Sequence, residues 1–168
     1  MRITWNRNDD FLTIDRDGST RIMRCWCKVR NELNGLRPLS GRSDVVRTET
    51  KTGADGVPHM PRPFPLGSWR VERIIPHPDK VKDSYLYPFF IATNAWQIVD
   101  EWELDERGYY RRPSGRTVPD YGYGIHFSSS YTTLGCLRIG ELQDLIDLAG
   151  MVREELDAGR EVPFEVKI

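Results

Sequence analysis

Short runs of alternating apolar and polar residues fill the first three quarters of the chain and predict β-strands. The first three runs are rich in β-branched or aromatic residues and span 2–5, 11–15 and 21–29, with turn-forming Asp and Gly residues between them. They predict an opening β-meander. In the third run, successive side chains point to opposite sides, and we expect the small and apolar side to face the core: Met23, Cys25, Cys27 and Val29.

The later pattern predicts more strands and one helix. Strands are expected over the following runs: 67–75, 89–93, 96–104, 121–127, 134–139 and 162–168. Apolar residues recur at three- and four-residue steps over 140–157, which predicts an α-helix. The polar turn 128–133 predicts that its two flanking strands form a hairpin, and the polar stretches 30–63 and 107–119 predict irregular connections.

Length and composition indicate one globular domain over residues 1–168. We expect a mainly β fold, a sandwich or a partly closed barrel, with one α-helix in the C-terminal region. The 24 Lys and Arg residues nearly balance 25 Asp and Glu residues, so no general attraction to nucleic acid or to an anionic membrane is expected. The longest apolar stretch, around 85–99, is interrupted and too short for a membrane span.

The N-terminus lacks the uninterrupted apolar core of a secretory signal, so we expect synthesis in the cytoplasm without a signal peptide. Cys25 and Cys27 are too close along a strand for comfortable disulfide geometry, and we expect free thiols.

Cys136 is the candidate nucleophile because it follows Gly135 and shortly precedes the predicted helix. There, backbone N–H groups and the helix dipole would favour a thiolate. His126 lies ten residues upstream, and the predicted hairpin would bring its imidazole to the thiol as a general base. The reaction would be acyl transfer, with the N–H groups of Gly135 and Cys136 as oxyanion donors. The structural alternative is a core cysteine and a surface histidine.

Two other kinds of site are weaker. His59 and His77 with Cys25 and Cys27 could be imagined as a zinc site, but their spacing matches no usual zinc motif, so we assign no metal or cofactor and expect surface histidines. The serines of 128–130 lie close to His126 in sequence, as in a serine hydrolase, but the Gly-x-Ser-x-Gly turn of such enzymes does not accompany them.

Further residues are given structural roles. Trp96 and Trp102 are expected in the core or a cleft wall. A solvated edge is expected from the acidic run: Glu101, Glu103, Asp105 and Glu106.

The string GIHFSSSYTTLGCLRIG resembles the signature of L,D-transpeptidase (YkuD-type) catalytic domains, in which a strand ending in His precedes Ser/Thr-x-Gly-Cys-x-Arg. Thr133, Gly135, Cys136 and Arg138 occupy those places, and PRPFPLGSWRV at 61–71 is similar to the Pro-x-Gly-x-Trp/Tyr element of the same family. The resemblance implies Cys136 as nucleophile and His126 as general base. It also implies that Arg138 supports the site or contacts a substrate carboxylate.

The short His-to-Cys spacing resembles the compact L,D-transpeptidase-like toxins exported by type VI secretion. For these the resemblance implies a thioester enzyme acting in the periplasm on the tetrapeptide stems of peptidoglycan, as L,D-transpeptidase, L,D-carboxypeptidase or D-amino-acid exchanger. Its partners would be stem peptides and an immunity protein or a secretion-system component.

Cations and aromatics suited to a stem peptide are available near the site. We name as substrate-binding candidates Arg138, Thr133, Tyr123 and Tyr131, although core packing explains Tyr121 and Tyr123 equally well. The rival hypothesis is a catalytically silent module on the same scaffold, which binds cell wall or serves a phage or secretion apparatus.

Overall fold

The computed structural model of the protein describes residues 1–29, 59, 61–81, 86–104, 106, 110–127, 133 and 135–168. Within them the chain forms these elements in order: β1 (Arg2–Asn6), β2 (Phe11–Arg16), β3 (Ser19–Trp26), β4 (Gly67–Pro76), β5 (Phe89–Thr93), β6 (Gln97–Leu104), β7 (Tyr110–Asp120), β8 (Gly124–Phe127), β9 (Leu137–Ile139), α1 (Leu142–Asp157) and β10 (Val162–Lys167). In this part of the chain no helix is long and apolar enough to cross a membrane.

Eight of these strands close into a barrel in the order β1-β10-β4-β5-β8-β9-β3-β2. β1, β2 and β3 form the predicted antiparallel meander, and β10 joins β1 in parallel and β4 antiparallel. The mainly β fold with one helix is confirmed, and of the two expected architectures the sheet adopts the barrel.

The core lies inside the barrel and under α1. Alternate residues of the strands are fully buried there, including Ile3, Leu12 and Ile14, as the two-residue period predicts. Met23, Cys25 and Val29 are buried and Cys27 is partly buried against them, which confirms the expected inward side of β3. The helix covers the core with one apolar face: Leu145, Leu148, Ala149 and Val152.

The β6–β7 ribbon lies outside the barrel sheet. The irregular connection predicted over 107–119 is therefore wrong, because β7 is a long strand that pairs with β6 and does not show the apolar alternation of a barrel strand. Glu101 of the acidic run is buried, so the solvated edge expected of this residue is wrong. Its carboxylate accepts hydrogen bonds from Arg116 Nε and Ser114 Oγ, each at 2.6 Å.

The two tryptophans of this region differ. Trp102 is buried as expected. Trp96 is 45% exposed and stacks on Tyr121, which excludes the core for it and leaves the cleft wall of the two expected positions.

β8 and β9 are parallel neighbours, and the predicted hairpin between them is wrong. Parallel strands need a crossover and cannot be joined by a tight turn. Of the connecting residues 128–134 only Thr133 is described, and it bridges Val29 beyond the end of β3. β8 itself begins at Gly124, so 121–123 lead into the strand and do not belong to it.

Candidate functional site

Cys136 lies immediately before β9 and is partly exposed. Its Sγ lies 3.8 Å from the carbonyl oxygen of Gly122. Ile125 pairs with Leu137 in the parallel β8–β9 register, so continuing the register by one residue sets Cys136 opposite Gly124. The candidate nucleophile therefore stands at one end of the β8–β9 pair with access to solvent.

His126 leaves β8 on the side of the sheet opposite the core, and the strand alternation, extended one residue before the start of β9, puts Cys136 on that side too. It pairs with Arg138 in the parallel register, while the intervening residues Ile125 and Leu137 point into the core. One strand spacing of about 4.8 Å and two residues of about 3.3 Å each separate the His126 and Cys136 backbones, which is about 8 Å. An imidazole and a thiol that lean toward each other can span that distance.

The His126 ring is oriented by its own strand. Nδ1 lies 3.2 Å from the Phe127 carbonyl oxygen, and because a carbonyl oxygen only accepts, Nδ1 carries the proton in this contact. In a neutral ring whose Nδ1 carries the proton, Nε2 is the nitrogen that can accept one. Phe90, paired with His126 across β5 and β8, lies with its ring centroid 6.3 Å away.

The helix dipole does not activate Cys136 as predicted. The extended strand β9 stands between the cysteine and α1, whose N-cap is Glu141. The three residues of β9 and Gly140 carry the chain about 13 Å from Cys136 at about 3.3 Å per extended residue, and dipole effects fade within one helical turn.

Gly135 has a backbone that other residues rarely adopt, with φ of 127°. A Cβ built on it would lie 2.5 Å from the Arg62 carbonyl oxygen and 2.8 Å from Cε1 of Tyr123. Glycine is therefore required directly before the candidate nucleophile.

Thr133 is buried, and its N–H donates to the Lys28 carbonyl at 2.9 Å. It therefore connects the segment before Cys136 to the chain that follows β3.

Arg138 is fully buried, on the same side of the sheet as His126. Its guanidinium carbon lies 5.8 Å from the centre of the Trp26 ring, and burial lowers its pKa to about 10. A side chain with no exposed surface does not reach a substrate carboxylate at the mouth of the site. Of the two roles that the sequence suggested for Arg138, support of the site fits this position.

Tyr123 is also buried, with 3% of its surface exposed. Its hydroxyl donates to the Asp120 carboxylate and accepts from Gln97 Nε2 at 2.5 Å. Burial and the neighbouring Asp120 raise the pKa of Tyr123 far above its ordinary value. The expected substrate contact of Tyr123 is therefore wrong, because its hydroxyl is used inside the protein. Tyr131 lies outside the described residues, as do the serines of 128–130.

Sequence reasoning missed a buried histidine. His59, expected at the surface, is 2% exposed and its Nε2 lies 3.5 Å from Oδ1 of buried Asp120. Neither His59 nor Asp120 lies in a run of alternating apolar and polar residues, which is the sequence pattern that predicts burial. His77 is partly exposed. Within the described ranges, no three or more His, Cys, Asp and Glu side chains group as a metal site.

Comparisons with known proteins give one distant similarity. No family model matches the chain, and no curated protein matches it. The crystal structure of Mycobacterium tuberculosis L,D-transpeptidase 1 is similar with 15% sequence identity over 98% of this chain and 60% of that chain, at a TM-score of 0.37. The chain thus spans about 60% of the length of that protein, and a TM-score this low does not define a common fold.

Proposed function

We propose that Cys136 and His126 form a cysteine–histidine pair that performs acyl transfer on the peptide stems of peptidoglycan. The observation that supports this proposal is the parallel β8–β9 register, which, extended one residue before β9, puts Cys136 on the same side as His126, whose Nδ1 is held by the Phe127 carbonyl. The Thr-x-Gly-Cys-x-Arg string over 133–138 supports the choice of substrate class, through its resemblance to L,D-transpeptidase signatures.

The reaction proceeds in two balanced steps. His126 Nε2 takes the Cys136 proton, Sγ attacks the amide carbonyl carbon of the stem, and the C–N bond breaks as the imidazolium returns the proton to the leaving amine. In the second step water or an amine attacks the thioester, the C–S bond breaks, and the proton passes through His126 back to the thiolate. Water gives L,D-carboxypeptidase activity, an amine of a second stem gives L,D-transpeptidase activity, and a D-amino acid gives exchange.

Arg138 supports this chemistry electrostatically. It follows Cys136 by two residues on the same side of the strand, so their backbones lie about 6.6 Å apart. In this proposal the buried positive charge of Arg138 favours negative charge on the sulfur, since the surrounding protein screens less than water does. Arg138 acts on the thiolate in this proposal and does not bind the substrate.

The test is incubation of the purified protein with disaccharide–tetrapeptide muropeptides, followed by intact-protein mass spectrometry and product analysis. An adduct of the mass of the acyl fragment should form on the native protein and disappear in Cys136→Ala. It should persist in Cys27→Ala, a second partly exposed thiol. Folded protein that forms no adduct and leaves the muropeptides unchanged would favour the catalytically silent wall-binding module.

The compact His-to-Cys spacing supports a further part of the proposal, an antibacterial effector that acts in the periplasm and has an immunity partner. Expression with a periplasm-directing leader in a Gram-negative host should arrest growth, whereas expression without the leader or with Cys136→Ala should not. Equal growth of all three strains at equal protein levels would contradict the effector role and would leave the proposed enzymatic activity untouched.

A further inference from the structure

A buried polar cluster lies beside the cysteine–histidine pair, and the acyl-transfer steps do not use it. We call it the Asp120 cluster; its members are His59, Gln97, Asp120 and Tyr123. The Asp120 carboxylate accepts the Tyr123 hydroxyl and faces His59 Nε2 at 3.5 Å. Gln97 Nε2 donates both to the Tyr123 hydroxyl at 2.5 Å and to the Pro63 carbonyl at 2.9 Å.

A buried carboxylate is costly unless its surroundings compensate for lost water. Asp120 has only 2% of its surface exposed, and His59 and Tyr123 around it are as deeply buried. The cluster joins the start of β6, the end of β7 and the segment before β4. It therefore fixes the β6–β7 ribbon to the barrel at the point where the chain turns toward β8.

The cluster reaches Cys136 by two routes. Gly122, whose carbonyl oxygen lies 3.8 Å from Cys136 Sγ, stands between Asp120 and Tyr123 in the chain, so the cluster holds both sides of it. The carbonyl of Tyr123 is also held, by the Thr93 hydroxyl at 2.7 Å. The second route is the Tyr123 ring, which packs so closely on Gly135 that a Cβ there would lie 2.8 Å from it.

We propose that Asp120, Tyr123 and Gln97 are positioning residues for the Cys136 thiol. Asp120 and Gln97 hold the Tyr123 hydroxyl from two sides. Tyr123 in turn fixes Gly122, whose carbonyl oxygen lies near the sulfur, and Gly135, the residue before Cys136. The raised pKa of Tyr123 keeps its proton in place at working pH, so the hydroxyl remains a donor to Asp120. Their role in turnover rests on the proposed function, whereas their effect on the thiol does not.

The test is the rate at which iodoacetamide alkylates Cys136, followed by peptide mass spectrometry so that Cys25 and Cys27 are counted separately. Asp120→Ala should slow alkylation about fivefold, the effect of losing one hydrogen bond of ordinary strength. Asp120→Asn should remain within about twofold of the native rate, because its amide oxygen still accepts the Tyr123 hydroxyl. The matched control is Glu155→Ala, which removes another buried carboxylate, one bonded to Arg160 at 2.7 Å, and should leave the Cys136 rate unchanged.

Two results would overturn the proposal. One is folded Asp120→Ala protein with the native alkylation rate. The other is Asp120→Asn as slow as Asp120→Ala, which would make charge and not held geometry the relevant property. If Asp120→Ala does not fold, Gln97→Leu replaces it, since it removes only the donor to Tyr123 and Pro63. An unchanged Cys136 rate in folded Gln97→Leu would also overturn the proposal.

Muropeptide turnover separates this inference from the proposed function. If the native protein is active, Asp120→Ala should lower kcat and leave KM near its native value, because the cluster does not face the substrate. If the native protein is inactive but Asp120→Ala still slows alkylation, the proposed function fails and the positioning role stands. If the native protein is active and the alkylation rates do not differ, the proposed function stands and the positioning role fails.

Discussion

Replacing Gly135 by alanine should destabilise the protein strongly, although it adds a single methyl group. The new Cβ would lie 2.5 Å from a backbone oxygen of Arg62 and 2.8 Å from the buried Tyr123 ring, and neither atom belongs to a flexible side-chain end. A backbone at φ of 127° costs a non-glycine residue about 1–3 kcal/mol. Overpacking in a filled site costs about 1–3 kcal/mol more. The sum, about 2–6 kcal/mol, lowers the melting temperature by roughly 4–24 °C for a domain of this size.

Thermal unfolding followed by circular dichroism measures this change, and Gly150 provides the matched control. Gly150 lies within α1, and a Cβ on it would meet nothing within 4 Å. Gly150→Ala should therefore raise stability by about 0.5–1 kcal/mol through helix propensity alone. A Gly135→Ala protein that melts with the native protein would refute the steric reasoning, and with it the view that glycine is required before Cys136.

Three further predictions concern other parts of the fold. The Arg160 hydrogen bond, together with the Met1 amine and Arg16, lowers the pKa of Glu155 from 4.5 to about 2, so its contribution to stability is present above pH 4.5 and lost as pH falls through 2. Glu155→Gln should flatten the dependence of the melting temperature on pH in that window, and an unchanged slope would contradict this assignment. Phe164→Ala, which removes a fully buried ring 5.2 Å from Phe64, should cost about 3–5 kcal/mol in urea unfolding, whereas Ile22→Ala at an exposed position should change stability by less than about 0.5 kcal/mol. Burial raises the pKa of Cys25, so folded protein in excess iodoacetamide should gain at most two labels, and a third label without denaturant would show that Cys25 is accessible.

Local alternation was enough to predict the strands whose sides differ in burial. β2 and β10, predicted over 11–15 and 162–168, alternate between apolar and polar residues in sequence. Their side chains alternate between core and surface in the structure. β7 could not be found in this way, because it pairs with β6 outside the barrel and no regular apolar side distinguishes it. The pairing of β7 with β6 depends on tertiary structure and cannot be predicted from the local sequence pattern.

The adjacency of the strands at the candidate site was predicted, but for a partly wrong reason. The ten-residue spacing suggested that His126 and Cys136 are neighbours, and the strands that carry or adjoin them are adjacent, but they run parallel and not as a hairpin. Strand direction depends on a crossover that spacing alone does not reveal. For Tyr123 the sequence left core packing and a substrate contact open, and the structure favours core packing. The burial of Arg138 and His59 was missed, because charged and polar side chains are normally exposed.

The position of β10 between β1 and β4 has a consequence for how the protein is made. These neighbours come from the first and the middle parts of the chain, so the ring of hydrogen bonds stays open until residues 162–167 have left the ribosome. Until then the nascent sheet has two unpaired edges that invite pairing with other chains. A chain that lacks those six residues should therefore be prone to aggregation.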